Sequence, residues 1–123
     1  MVPSLFVSQQ IYQRWVTPQF SIYLVNLGQS TCTLDVGARS LHLVVRSGQV
    51  RVWGSGDCAH GAPPDVVRLR RGVPFVTYAS WSRHRSSPAS GCGLAEPRAA
   101  PGTYTAVVSI GTAHSRVGVF VLR

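Results

Sequence analysis

The chain has 123 residues, a length that suits one domain, residues 1–123, with a single modest core. Charged residues make up only 13% of it, which excludes charge-driven disorder, and no apolar run reaches the roughly 20 residues of a membrane-spanning helix. All 12 basic residues are arginines and four carboxylates oppose them, so the net charge is +8 and favours anionic partners.

Short alternating apolar segments follow one another along the chain, separated by Gly, Pro and Ser, and this pattern is typical of an all-β protein. Residues 5–8 are a candidate edge strand. Phe20, Ile22 and Leu24 alternate with smaller or more polar residues, which predicts a strand that ends at the turn 26–28.

The clearest hairpin runs from Leu41 to Trp53, with Ser47-Gly48 predicted at its tip. Such a turn would pair Val45 with Val50, Leu43 with Val52, and His42 with Trp53. We therefore expect the valine and leucine members of these pairs on the inner face. Arg46, Arg51 and Trp53 are expected on the outer face.

The second half of the chain contains two more predicted strand units. Residues 67–81 contain a turn at Arg71-Gly72 and an alternating run that ends at Trp81, and residues 104–122 form a hairpin with Gly111-Thr112 at its turn. Loops 54–64 and 83–102 hold most of the Gly, Pro and Ser.

Seven or eight short strands separated by turns predict a two-sheet Greek-key β-sandwich. Tyr104, after Pro101-Gly102-Thr103, stands where such folds place a tyrosine corner at a crossover. The predicted core contains the residues on the more apolar side of each strand: Leu43, Val52, Phe75, Trp81, Val108 and Val119.

Three cysteines allow one intramolecular disulfide and leave one thiol. Cys58 and Cys92 lie in turn-rich loops, whereas Cys32 alternates in phase with Leu34 and Val36 and points to the apolar side of a strand. The simplest assignment is a Cys58–Cys92 disulfide with a buried Cys32. Such a bridge indicates an oxidising compartment, so we expect an exported protein whose signal or anchor lies outside these residues; three reduced thiols in a cytosolic protein are the alternative.

The chain also resembles a known family in its turns and core aromatics. The motifs that carry the resemblance are Asn26-x-Gly28, Ser47-Gly48-Gln49, Val52-Trp53, Leu69-x-x-Gly72, Trp81 and Pro101-Gly102-x-Tyr104. They resemble the immunoglobulin-like domain of the bacterial intracellular proteinase inhibitor family over most of residues 19–123. They also resemble small exported actinobacterial domains of unknown function with cysteines near these positions. Those domains often carry a further cysteine near the start, which this chain lacks. Either the partner of Cys32 has been lost by truncation, or Cys32 is a real free thiol.

Catalytic and cofactor sites are not indicated. Four carboxylates in separate segments offer little for acid–base chemistry, and Cys58 with His60 two residues later lacks the arrangement of a catalytic pair. The four histidines and three cysteines show no zinc-ligand spacing, and the glycines form no phosphate-binding loop. We expect a protein without enzymatic activity, metal or cofactor.

The arginines are the candidate binding residues, although exposed arginines that only solubilise the surface explain them equally well. Arg51 and Trp53 combine a guanidinium with an aromatic ring that a ligand could stack on. The densest basic clusters are Arg68, Arg70, Arg71, Arg83 and Arg85. The expected partners are another envelope protein or an anionic polymer. No specific nucleic acid is expected, and a membrane only through flanking segments.

These observations favour a non-enzymatic, extracytoplasmic interaction or structural module of a bacterial envelope protein. The alternatives are a proteinase inhibitor, which only the resemblance implies, and a surface domain that binds an anionic polymer. An inhibitor requires an exposed rigid loop, for which residues 83–102 are the long candidate, whereas an interaction module requires an exposed apolar or edge-strand patch.

Overall fold

The computed structural model describes residues 1–93 and 95–123, and over these residues the chain is almost entirely β. The described residues form eleven strands and one 3-10 turn, Ser55–Cys58. The strands are β1 Val2–Val7, β2 Ile11–Tyr12, β3 Gln19–Val25, β4 Cys32–Asp35, β5 Leu41–Ser47, β6 Val50–Gly54, β7 Val66–Leu69, β8 Phe75–Ser80, β9 Gly102–Ile110, β10 Ala113–His114 and β11 Gly118–Leu122. The all-β prediction is confirmed. The count exceeds the seven or eight predicted because segments such as β2 and β10 are too short to show an alternation.

Two sheets enclose the core, an arrangement consistent with a sandwich. One has the order β1-β3-β8, and the other has the order β2-β11-β9-β5-β6 with β10 paired to β9. Strands β4 and β7 form a separate two-stranded sheet. The pairings are antiparallel except for the short parallel contact between β2 and β11.

An aromatic cluster occupies the middle of the core. The Trp81 ring is fully buried, and its centroid lies 6.0 Å from that of Trp53, 5.7 Å from that of Tyr104 and 6.4 Å from that of Phe120. Trp81 also donates a hydrogen bond from Nε1 to the carbonyl of His84 at 2.9 Å. The predicted core is confirmed for Leu43, Val52, Trp81 and Val108, and for Phe75, which is partly buried against the others.

The last strand faces the opposite way from the prediction. Val119 is 55% exposed, whereas its neighbours Phe120 and Leu122 are buried. The placement of Val119 in the core was therefore wrong. The orientation has a simple cause, because turning Phe120 and Leu122 inward buries more apolar area than turning the valines inward.

The register of the first hairpin also differs from the prediction. The turn contains Gly48-Gln49, and Gly48 has φ +60°, a conformation that glycine adopts without strain. The pairing shifts between Val45 and Arg46, so Val45 lies opposite Trp53 rather than Val50. The irregularity turns both Val52 and Trp53 inward and leaves Val50 exposed.

Side-chain hydrogen bonds fix two of the predicted turns. The Tyr104 hydroxyl donates to the carbonyl of Ala100, four residues upstream. Asn26 is buried, and its amide donates to the carbonyls of Ser30 and Leu69 while its oxygen accepts from the N–H of Gly28. In the part of the chain that is described, no helix has the length and apolarity needed to span a bilayer.

Candidate interaction surfaces

Three of the predicted binding residues lie together on the surface. Arg68 is exposed on β7, where it pairs with Thr33 of β4, and Arg70 and Arg71 are exposed directly after the strand. Among the described residues, no carboxylate lies at salt-bridge distance from any of the three. Their exposed placement agrees with the sequence, and their binding role stays a prediction.

Arg83 does not belong to this surface, because it is 6% exposed. Its guanidinium donates to four backbone carbonyls: Tyr12 at 3.4 Å, Gln13 at 2.6 Å, Val16 at 2.7 Å and Arg123 at 3.0 Å. The backbone of Arg83 has φ +68°, an uncommon conformation for a residue with a Cβ. The expectation of an exposed Arg83 was wrong, because its side chain turns inward to these four carbonyls.

Arg85 is half-buried, near the hydroxyl of Tyr104. Burial raises the pKa of Tyr104, and the nearby charge of Arg85 partly opposes that rise. Arg85 is therefore more enclosed than the other members of its predicted cluster, except for Arg83.

The predicted pair of Arg51 and Trp53 is separated by the bulge. Trp53 is 6% exposed and contacts Trp81, so the expectation of an outward-facing tryptophan was wrong. Arg51 makes two hydrogen bonds to the carboxylate of Asp57, at 2.8 and 3.0 Å, and the Ser86 hydroxyl donates to the same carboxylate at 2.6 Å. The guanidinium of Arg51 thus has an intramolecular partner.

The Asp57 network makes the fold sensitive to acid. Burial acts to raise the pKa of Asp57, but the hydrogen bonds from Arg51 and Ser86 and the Arg51 charge outweigh it and lower the pKa. A carboxyl with a lowered folded-state pKa stabilises the fold above its unfolded pKa of about 3.9 and loses that stabilisation as the pH falls through the folded value. Asp35 has a lowered pKa as well, mainly through hydrogen bonds from the N–H groups of Asp65 and Gly37.

Asp57→Asn isolates the contribution of this one carboxylate. We expect the variant to be less stable than the wild type at pH 7, because it loses the charged pair, and the difference to shrink as the pH falls below about 4. Urea unfolding at pH 7, 4 and 2.5 measures it. A stability difference that stays constant over this range would contradict the assignment.

The predicted Cys58–Cys92 disulfide is present and joins positions that are 34 apart in the sequence. Cys32 is not bridged and lies half-buried against the core. Because the sulfur of Cys58 is bonded to Cys92, it is not a thiol that could pair with His60. Among the described residues, His, Cys, Asp and Glu form no group of three or more that could hold a metal ion.

The outer face of the β1-β3-β8 sheet has an unusual composition for a chain of net charge +8. The residues whose side chains point outward follow from the strand register and from the burial of their neighbours. They carry no charge: Val2, Ser4, Phe6, Gln19, Ser21, Tyr23, Val25, Val76, Tyr78 and Ser80. We call these ten residues the uncharged face.

Aromatic side chains are prominent on the uncharged face. Tyr78 is 72% exposed and Phe6 is 57% exposed. The Phe6 and Tyr23 rings meet edge to face with their centroids 5.4 Å apart. The outer face of the other main sheet differs, since it carries Arg46 and Arg51. The exposed aromatic side chains of the two main sheets, Phe6 and Tyr78, therefore lie on the same face.

A pocket of about 340 Å³ lies at one corner of the molecule. It is lined by residues of the turn after β2 and of the long loop after β8, among them Arg14, Trp15, Ser82, Arg83 and Arg98. Sequence reasoning missed Arg14, Trp15 and Arg98 as site residues. The reason is that two segments distant in the sequence, residues 14–17 and residues 82–98, come together only when the chain folds. The one available signal was the adjacency of Arg14 and Trp15.

No protein-family model matches the chain, and no curated protein matches it. Several solved structures are similar in fold. The β-glucosidase EmGH1 from Erythrobacter marinus has a TM-score of 0.60 at 11% identity, and the match covers 98% of this chain but 15% of that one. The alkylpurine DNA glycosylase AlkC from Pseudomonas fluorescens, bound to DNA with an abasic site analog, has a TM-score of 0.59 at 11% identity. The match covers 98% of this chain and 30% of that one.

The sporulation control protein Spo0M from Bacillus subtilis has a TM-score of 0.53 at 6% identity, and the match covers 99% of this chain and 49% of that one. The chain thus spans less than half the length of each of these three proteins. At such identities the similarity shows the fold alone, and it transfers none of their activities.

Proposed function

We propose that this chain is a non-enzymatic, immunoglobulin-like interaction module of a bacterial envelope protein, with Greek-key connections and a location outside the cytoplasm. The observation that carries the proposal is the uncharged face. It is the exposed apolar and edge-strand patch that an interaction module requires.

The composition of the uncharged face suits a protein partner. The central parts of protein interfaces are depleted of charge and enriched in tyrosine and phenylalanine, and large exposed apolar patches mark interaction sites. Tyr78, Phe6 and Tyr23 supply such rings, and small serines between them leave the surface accessible. An anionic polymer would find no cation on this face, so we assign the face to another envelope protein.

The proposal that the chain has no enzymatic activity is supported by the structural roles of its carboxylates and of its disulfide-bonded cysteines. Asp57 is bonded to Arg51 and Ser86, and Asp35 accepts hydrogen bonds from Gly37, Ser40 and Asp65. These carboxylates have structural partners rather than an open site. The Cys58–Cys92 disulfide supports a location in an oxidising compartment.

Proteinase inhibition is a second candidate, favoured by the geometry of the long loop. Backbone hydrogen bonds join Arg85 to Pro97 and Ala99 to Arg83, and the disulfide anchors Cys92. Between these constraints, the exposed residues 88–90 form the tip of the turn that Ser87 and Gly91 close. An exposed tip held by such constraints is the feature that an inhibitor inserts into a protease cleft.

Site-specific photo-crosslinking tests the proposal in the native envelope. With a benzophenone amino acid in place of Tyr78, we expect one discrete adduct with a different protein, because Tyr78 is the most exposed aromatic side chain of the uncharged face. The matched control is Val119, which is also exposed but lies on the other sheet, where we expect no adduct.

A probe at Ala89 reports on the second candidate. An adduct with a protease at this position, and none at Tyr78, would favour inhibition and contradict the proposed docking face. Equal adducts at positions 78 and 119 would contradict it as well, since they would show unspecific contact. An adduct of twice the chain's own mass at Tyr78 would replace the envelope partner with a second copy.

A further inference from the structure

The corner pocket combines three arginines with an exposed tryptophan, far from the Arg68–Arg71 cluster in sequence. Arg14 and Arg98 are exposed at its edge, and Arg83 reaches it from the interior. In the part of the chain that the structure describes, no Asp or Glu side chain lines it. The described lining residues therefore present positive charge without an acidic side chain to balance it.

Arg83 gives the pocket a fixed cation. Its guanidinium is immobilised by the carbonyls of Gln13 and Val16, and these hydrogen bonds also hold the turn that carries Arg14 and Trp15. Burial lowers the pKa of Arg83, and the charge of Arg98 lowers it further. Two guanidinium groups thus repel one another at this corner, and an anion between them would relieve the repulsion.

Trp15 is highly exposed and is not part of the core. It is 85% exposed, whereas the other two tryptophans are buried, and the Arg14 guanidinium lies 5.0 Å from its ring centroid. An indole stacked with a guanidinium at the mouth of a basic pocket forms a wall that excludes water from one side of a bound group.

We propose that this pocket binds an oxyanion group, phosphate or carboxylate, of an acidic chain, with Arg14 and Arg98 contacting the anion and Trp15 covering it. Arg83 acts as a positioning residue. It holds the turn in place, and its charge adds to the local field.

The pocket differs from the predicted cluster of Arg68, Arg70 and Arg71 because a buried cation, Arg83, lies behind its exposed arginines. Side chains on an exposed strand are surrounded by water and salt, so their charges are strongly screened. A concave site with a partly desolvated cation interacts more strongly with the same anion, because field lines are focused between low-dielectric walls. The proposal is independent of the uncharged face, which holds none of these residues.

The three tryptophans provide a direct measurement. Acrylamide is neutral and quenches exposed indoles, so it should quench Trp15 far more than Trp53 or Trp81. Titration with tripolyphosphate at constant ionic strength is expected to protect Trp15 from quenching in a saturable manner. Citrate serves as the carboxylate probe, and the tighter of the two ligands identifies which oxyanion the pocket prefers.

Single arginine variants separate the pocket from general surface charge. Arg98→Ser is expected to weaken tripolyphosphate binding in calorimetry by about tenfold or more, since it removes a charge-assisted contact. Arg70→Ser removes the same charge from an exposed position and is expected to change the affinity less than about threefold. Circular dichroism and the thermal midpoint confirm that both variants keep the fold.

Two results would overturn the assignment. One is the absence of any saturable protection of Trp15, or of any heat, up to millimolar tripolyphosphate and citrate. The other is an equal loss of affinity in Arg98→Ser and Arg70→Ser, which would show that the anions bind diffusely to the whole basic surface.

Discussion

Trp81→Ala is expected to lower the free energy of unfolding by about 3–5 kcal/mol, the range measured for large aromatic residues removed from cores. Trp81 is fully buried, and its ring meets those of Trp53, Tyr104 and Phe120. Alanine would leave a cavity between the two sheets and remove the hydrogen bond from the indole to His84. Chemical denaturation measures the loss.

A domain of this size has a total stability of about 5–15 kcal/mol, so the alanine variant can be too unstable to purify. Trp81→Phe keeps a ring in the site and is expected to cost less, which keeps the prediction measurable. The matched control is Trp15→Ala, whose exposed side chain should cost less than about 0.5 kcal/mol. Similar losses for Trp81→Ala and Trp15→Ala would contradict the central position of Trp81.

Removal of the disulfide is expected to be the second large effect. The double variant Cys58→Ser, Cys92→Ser removes a bridge between positions that are 34 apart in the sequence, and the chain-entropy model gives about 3–4 kcal/mol for a loop closed over that separation. The loss arises mainly in the unfolded state, which becomes less constrained. Urea unfolding of the wild type and the variant under oxidising conditions measures it.

Cys32→Ser is the control for this experiment, because Cys32 is unbridged. A reducing agent should lower the stability of Cys32→Ser by about the same amount that the double variant loses, and should leave the double variant unchanged. If reduction does not alter the unfolding of Cys32→Ser, the bridge does not stabilise the protein and the prediction is wrong.

Strand alternation predicted the part of the fold in which one face of a strand is plainly more apolar. Leu43 and Val108 are inside as expected, and the alternating Phe20 and Leu24 are buried as well. The pattern gave the wrong face where both sides of a strand are apolar. In β11, Val119 and Phe120 are adjacent and both suit a core, so only the packing of the larger ring against Trp81 decides between them.

Irregular backbone explains the other differences between the sequence prediction and the structure. A single shift in the hairpin moved Trp53 from the expected outer face into the core. The positive φ of Arg83 turned a residue of a basic cluster inward to the carbonyls of Gln13 and Val16. Neither event leaves a periodic trace in the sequence, because each depends on partners far along the chain.

The two candidate surfaces differ in how far the sequence could predict them. Ser21, Tyr23 and Val25 alternate with the core residues of β3, and Val76 and Tyr78 do so in β8, so the uncharged face could be derived once those strands are paired. The corner pocket could not be derived from the sequence, because Trp15 and Arg98 are 83 positions apart. Their segments are joined by the buried Arg83.

The uncharged face also has a consequence for how the protein orients itself. All 12 arginines lie outside it, so the positive charge is distributed over the remaining surface and its centre is displaced away from the β1-β3-β8 sheet. Near a negatively charged layer, such an asymmetric charge distribution experiences a torque as well as an attraction. The arginine-bearing sides turn toward the layer, and Phe6 and Tyr78 are left pointing away from it, accessible to a protein that approaches from the opposite direction.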